Sequence, residues 1–176
     1  TLNFTGAATI TVDGVTGTVI SAGISGSPTI NYNTYSGSTL TLAPVGPLAM
    51  ELGTINCVRT NGDTNLILGG DSVGNSANTI TWTVQANQLR VQKKGTGTWE
   101  IKNNVTLDDG RVYVEDGTMI FAGTNNLHSH ALQIGRTVGN VSTGKGRFMS
   151  GGTFTIMDSR ENFTFYSGAT VAPGVN

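Results

Sequence analysis

Short alternations of apolar and polar residues recur along the whole chain. Leu2 and Phe4, then Ala8, Ile10 and Val12, lead to the turn dipeptide Asp13-Gly14. Val19, Ile20 and Ile24 follow, Gly26-Ser27-Pro28 breaks the pattern, and Ile30 with Tyr32 resumes it before Leu40 and Leu42. The rhythm returns at Ile55 to Val58, at Leu66-Ile67-Leu68, at Ile80, Trp82 and Val84, and at Leu89 with Val91. An extended backbone points successive side chains to opposite faces, so each run reads as a strand with one buried face. No long run shows apolar spacing of three and four residues, and almost no helix is predicted.

The densest pattern is Lys94-Gly95-Thr96-Gly97-Thr98-Trp99-Glu100-Ile101-Lys102, followed by Asp109-Gly110-Arg111-Val112-Tyr113-Val114 and Asp116-Gly117-Thr118-Met119-Ile120-Phe121-Ala122-Gly123. Each short strand is introduced by a glycine, and the same opening recurs at Gly146, Gly152 and Gly168. Such recurrence predicts coils stacked into a parallel β-helix, with roughly eight to ten coils of about 18 to 22 residues. Gly97, Gly110, Gly117, Gly152 and Gly168 are the expected structural turns. Trp99, Ile101, Phe121 and Phe154 are expected in the core, with Glu100 and Lys102 outward, because alternation fixes faces in pairs. The steps between successive glycines are uneven, at 13, 7, 29, 6 and 16 residues, which keeps a β-sandwich as the alternative. A single domain is expected over residues 1–176, with an irregular insert at 43–54. Pro44 and Pro47 fit poorly in a central ladder, and such an excursion is a place for ligand contacts.

The Lys-x-Gly-x-Gly-Thr-aromatic opening at Lys93 to Trp99 and the Gly168-Ala169-Thr170-Val171-Ala172-Pro173-Gly174 segment resemble the strand repeats of bacterial autotransporter passenger regions. The resemblance covers about residues 94–123 and 168–174, more loosely 1–42. It implies a β-solenoid of a secreted surface protein. That family includes adhesins, proteases and stalks, so it implies no particular activity.

Only 12% of residues are charged and the formal net charge is −1, with no clustered basic face of the kind nucleic acid requires. Apolar runs fall well short of the roughly 18 residues of a membrane span. The chain lacks an initiator Met and opens inside a strand pattern, so a processed or excised piece is expected. Cys57 is single, between Ile55 and Val58, and reads as a small core residue rather than a reactive thiol.

Candidate chemistry is sparse. The pairs Asp108-Asp109 and Glu115-Asp116 are the arrangement a glycosidase would use, yet each is followed by glycine and reads as a turn. His128 and His130 alternate, as a metal pair would, but have no nearby carboxylate or cysteine, so no metal or cofactor is expected. No nucleophile elbow accompanies either histidine. Tyr32, Tyr35, Trp82, Trp99, Tyr113 and Tyr166 are candidate sugar platforms, Trp82 and Trp99 being assigned to packing instead. Sequons begin at Asn3, Asn104, Asn140 and Asn162 and carry little weight in an Asn- and Thr-rich chain.

The resulting expectation is a non-catalytic, extracellular structural or adhesive module, meeting a surface glycan or a host or matrix ligand. One alternative is a filament subunit that associates head-to-tail with further copies. The other is a carbohydrate-active β-helix enzyme.

Overall fold

The computed structural model describes residues 1–14, 17–34, 37–59, 64–72, 78–80, 89–102, 106–122, 125–138, 141–150, 154–156 and 163–173. The first turn runs through β1 (Leu2–Asn3), β2 (Thr9–Gly14) and β3 (Thr18–Ile20), and the second through β4 (Ile24–Ser25), β5 (Thr29–Thr34) and β6 (Thr39–Leu42). The third comprises β7 (Glu51–Leu52), β8 (Ile55–Arg59) and β9 (Thr64–Leu68), and the next contributes β10 (Asn78–Ile80) and β11 (Leu89–Lys93). Then β12 (Thr98–Ile101) leads into the long β13 (Thr106–Val114), and β14 (Thr118–Phe121) into the long β15 (Asn125–Ile134). The hairpin β16 (Arg136–Val138) and β17 (Val141–Gly144) precedes β18 (Arg147–Ser150), β19 (Phe154–Ile156), β20 (Phe163–Phe165) and β21 (Thr170–Pro173).

These strands form a β-solenoid, with no helix among the described residues. The eight-stranded sheet has the order β19-β15-β13-β11-β9-β6-β3, with β20 also paired to β15, and the six-stranded sheet runs β21-β18-β14-β12-β10-β7. A three-stranded sheet, β2-β5-β8, and the pair β1-β4 complete the early turns. A bridge from Ile24 to Met50 continues the β1-β4 side towards β7. Among the described residues only the β16-β17 hairpin is antiparallel. Stacked turns need parallel strands, and the polypeptide between paired strands supplies the crossover.

One corner explains the repeated glycine opening. Thr98-Trp99 stacks on Thr118-Met119, these on Arg147-Phe148, and these on Thr170-Val171. Gly97, Gly117 and Gly146 immediately precede the first three pairs. Gly117 has φ 64°, and a Cβ there would run into the carbonyl oxygens of Gly95 and Gly97 and the Lys93 ammonium. Gly168, with φ 89°, sits in a turn just before this corner, whereas Gly97 has no positive φ and is instead close to the Gly70 carbonyl. Gly110 differs from expectation. It lies inside β13 at a register irregularity, because β13 crosses without interruption what are two separate strands in the earlier turns. Asp108 and Asp109 lie in that strand too, not in a turn between strands. Gly152 lies outside the described residues, as does the side chain of Phe154.

The uneven glycine spacing now has a cause. Gly110 belongs to a different side from Gly97 and Gly117, so two series were interleaved in the sequence. Trp99 and Met119 are 20 residues apart, whereas Met119 and Phe148 are 29 apart. The excess of nine equals the span of the Arg136–Gly144 hairpin, which leaves and re-enters the solenoid between β15 and β18.

Inside, equivalent residues form ladders. Leu40, Leu66, Val91, Val112 and Leu132 stack in one row, and Val12, Tyr32 and Cys57 in another. Trp99, Ile101 and Phe121 are buried, as expected, and the Trp99 indole N–H donates to the Gly69 carbonyl at 2.9 Å. Phe121 packs on Phe148 with ring centroids 5.5 Å apart. The expected insert is shorter than residues 43–54, since Met50 and Leu52 are both core residues. The loop proper is 43–49, closed internally by Leu48 N–H donating to the Val45 carbonyl and tied back by Ala43 N–H donating to the Ile20 carbonyl, Ile24 N–H donating to the Ala49 carbonyl and Gly46 N–H donating to Asp71 Oδ1.

Candidate functional site

Two features stand out on the solenoid, one inside a corner and one on an outer face. β11 alternates inward and outward, so Leu89, Val91 and Lys93 all point inward. Lys93 therefore occupies a row otherwise built from Leu42, Leu68, Val114 and Ile134, and it is 0% exposed. An ammonium in that position must have every N–H satisfied. Lys93 Nζ donates to the carbonyls of Lys94 at 2.9 Å, Gly95 at 2.6 Å and Asp116 at 3.1 Å. Three donors thus meet three acceptors, two from its own turn and one from the next. Burial pushes the ammonium down to about 8, and the Asp116 carboxylate opposes that shift.

The carboxylates at this corner have partners within the chain. Asp116 Oδ1 accepts from the Gly117 backbone N–H at 2.9 Å. Glu115 lies 3.5 Å from Lys94 Nζ through Oε1 and 3.3 Å from Arg136 Nη1 through Oε2. Arg136 opens the protruding hairpin, so this ion pair helps seat the hairpin on the solenoid.

The second feature is the outer face of the eight-stranded sheet. Asn65, Arg90 and Arg111 stack in one outward row, and Gln92, Tyr113 and Gln133 in the next. Gln92 Nε2 donates diagonally to Asn65 Oδ1 at 3.0 Å, and Asn65 Nδ2 donates to Thr39 Oγ1, directly beside it, at 3.5 Å, linking successive turns. Comparable links join Asn56 to Asn31 at 2.9 Å and Asn33 to Asp13 at 2.6 Å on the three-stranded sheet. Outward amides thus tie turn to turn while their backbones form the ladder.

Of the candidate aromatics, Tyr32 and Trp99 are core residues, Tyr113 is half-buried on the outer face, and Tyr166 is half-buried beyond β20. Tyr35 and Trp82 lie outside the described residues. Burial pushes Tyr32 upward, helped by Cys57 beside it and opposed by the Ser38 side chain. The Cys57 thiol is pushed up to about 12 by burial, so it is protonated at neutral pH. His128 and His130 lie in β15, with side chains outside the described residues, as are those of Asp108 and Asp109. No group of three or more potential metal ligands occurs among the described residues. No helix there is long and apolar enough to cross a membrane. Lys93 and the Arg90 and Arg111 pair were not singled out from sequence as site residues. The inward phase of Leu89-Val91-Lys93 was the available signal for the lysine.

No protein-family model, curated protein or solved structure matches the chain.

Proposed function

We propose that this chain is a non-catalytic structural or adhesive module of a bacterial surface protein, working in the extracellular medium. The observation that supports it best is the outer face of the eight-stranded sheet, where polar side chains at Gln92, Tyr113 and Gln133 follow one another turn after turn beside the row of Asn65, Arg90 and Arg111. A repeated polar surface suits contact along an extended partner, whereas catalysis needs a few groups converging on one reacting centre. Glu115 and Asp116, half of the carboxylates considered for glycoside hydrolysis, are committed to ion pairs and a backbone hydrogen bond. The autotransporter-like repeat adds the surface setting.

Beads coated with the chain test the reading against beads coated with an inert blocking protein. Coated beads should adhere to polysaccharide- or matrix-covered surfaces, and the Asp108→Asn/Asp109→Asn variant should adhere equally well. Cleavage of a polysaccharide by the wild-type chain, abolished in Asp109→Asn, would replace the adhesive reading with the enzymatic one.

A further inference from the structure

We infer that the outer face of the eight-stranded sheet around Arg90 and Arg111 binds a linear anionic polysaccharide. The inference rests on the adhesive reading above and names its ligand class. β11 and β13 pair in parallel with Arg90 directly beside Arg111, which places the two side chains on neighbouring strands about 4.8 Å apart. The sequence separates them by 21 positions, and only the stacking of turns brings them together. Both are half-buried, and each has an interaction within the chain.

The charge pattern is local. Where Asn65–Leu68, Arg90–Lys93 and Arg111–Val114 pair, the outward side chains carry charge only at Arg90 and Arg111, both positive. The whole chain has a net charge of −1, so this pair does not reflect a generally basic protein. An anion spanning both positions would meet two guanidinium groups on neighbouring strands at once. Guanidinium forks match the planar geometry of a carboxylate and also take a sulfate ester bidentately.

The neighbours point to a sugar polymer as the carrier of those anions. Tyr113 lies two residues beyond Arg111 on the same outward side, where a flat ring can cover the apolar face of a pyranose. Gln92 and Gln133 flank it one turn to either side, offering amides for hydroxyl groups. Arg90 with Gln92, then Arg111 with Tyr113, then Gln133 give successive turns a polar contact. A chain lying along the solenoid axis meets all of them, whereas a single sugar reaches only part of the series.

Calorimetric titration with a sulfated oligosaccharide, a polyuronate oligosaccharide and a neutral gluco-oligosaccharide provides the test. Both anionic probes should bind at low salt, weaken as salt is added, and exceed the neutral one. Arg90→Gln/Arg111→Gln should lose at least about tenfold in affinity. The control Lys102→Gln/Arg147→Gln changes the net charge equally on the six-stranded side and should stay within about twofold. A readout independent of variant folding is arginine modification of the wild-type chain, in which bound sulfated oligosaccharide should protect Arg90 and Arg111 but not Arg147. Absence of polyanion binding, equal losses in the two double variants, protection elsewhere, or tighter binding of duplex DNA would each overturn the inference. If coated beads still adhere while Arg90→Gln/Arg111→Gln has no effect, the ligand assignment fails and the adhesive reading stands. If the chain cleaves the probe, the adhesive reading itself fails.

Discussion

Residues in the same register position differ sharply in burial between the middle of the solenoid and its outermost turns. Leu132, Ile134 and Phe148 are 4%, 0% and 4% exposed, whereas Phe163, Phe165 and Val171, paired to them one turn on, are 52%, 55% and 57% exposed. The first turn repeats the contrast, with Leu2 at 50% and its partner Ile24 at 1%. Aromatic rings at the outer positions are more exposed than aliphatic side chains at the inner ones. At these positions burial thus follows from having a turn on both sides rather than from residue type, as expected of a stack held by nearest-neighbour contacts.

The sharpest way to break this comparison is Trp99→Ala, at a position with paired strands on both sides. It removes a fully buried ring and its bond to the Gly69 carbonyl, and should cost about 3 to 5 kcal/mol in urea unfolding. A loss below about 1 kcal/mol would show that the middle turns are no better packed than the outer ones.

Lys93→Met is the next largest effect. The thioether fills most of the volume but leaves three carbonyls without their donor, so a loss of about 2 kcal/mol is expected at neutral pH. This substitution also isolates a pH effect. The folded-state value is lowered to about 8 from 10.5, so between those values the unfolded chain holds the proton that the folded chain has released. Wild-type stability should therefore rise relative to Lys93→Met as pH increases through that window, by up to about 3 kcal/mol. Below about pH 8 the difference should be flat. Denaturant titrations of both proteins at several pH values check the sign, and a wild-type advantage that shrinks across the window would contradict it.

Phe165→Ala should have the smallest effect, under about 1 kcal/mol, because the ring is already half in water and stacks chiefly on Phe163 at 6.2 Å. A cost approaching that of Trp99→Ala would mean that position in the stack does not decide burial.

Much of the fold was legible because alternation and glycine corners are local signals. Gly97, Gly117 and Gly146 mark a shared edge through residues immediately next to them, and Trp99 and Ile101 share a face by simple periodicity. The irregular spacing was not interpretable locally. Gly110 belongs to another side, and the hairpin adds nine residues without disturbing the stacking of Met119 on Phe148. The candidate site was harder still. A lysine following Leu89 and Val91 in phase is ordinarily assigned to solvent, because lysine is rarely buried without partners. Its partners are backbone carbonyls, one of them 23 residues away, and backbone groups leave no mark in a residue pattern. The pairing of Arg90 with Arg111 likewise depends on how many residues each turn consumes, and that count changes along the chain from 26 between Leu40 and Leu66 to 20 between Val112 and Leu132.

The lysine inside the ladder also bears on how the chain counts its own turns. A column of aliphatic side chains is nearly periodic, and slipping it by a whole turn sets leucine on valine much as before. A slipped stack would place Lys93 beside a different corner, without the Asp116 carbonyl and without Gly117, whose missing Cβ makes room for the ammonium. The misaligned chain would bury a cation short of an acceptor, a far larger error than exchanging one aliphatic contact for another. Lys93 thereby gives one turn an address in an otherwise repetitive column, and the turns on either side inherit their alignment from it.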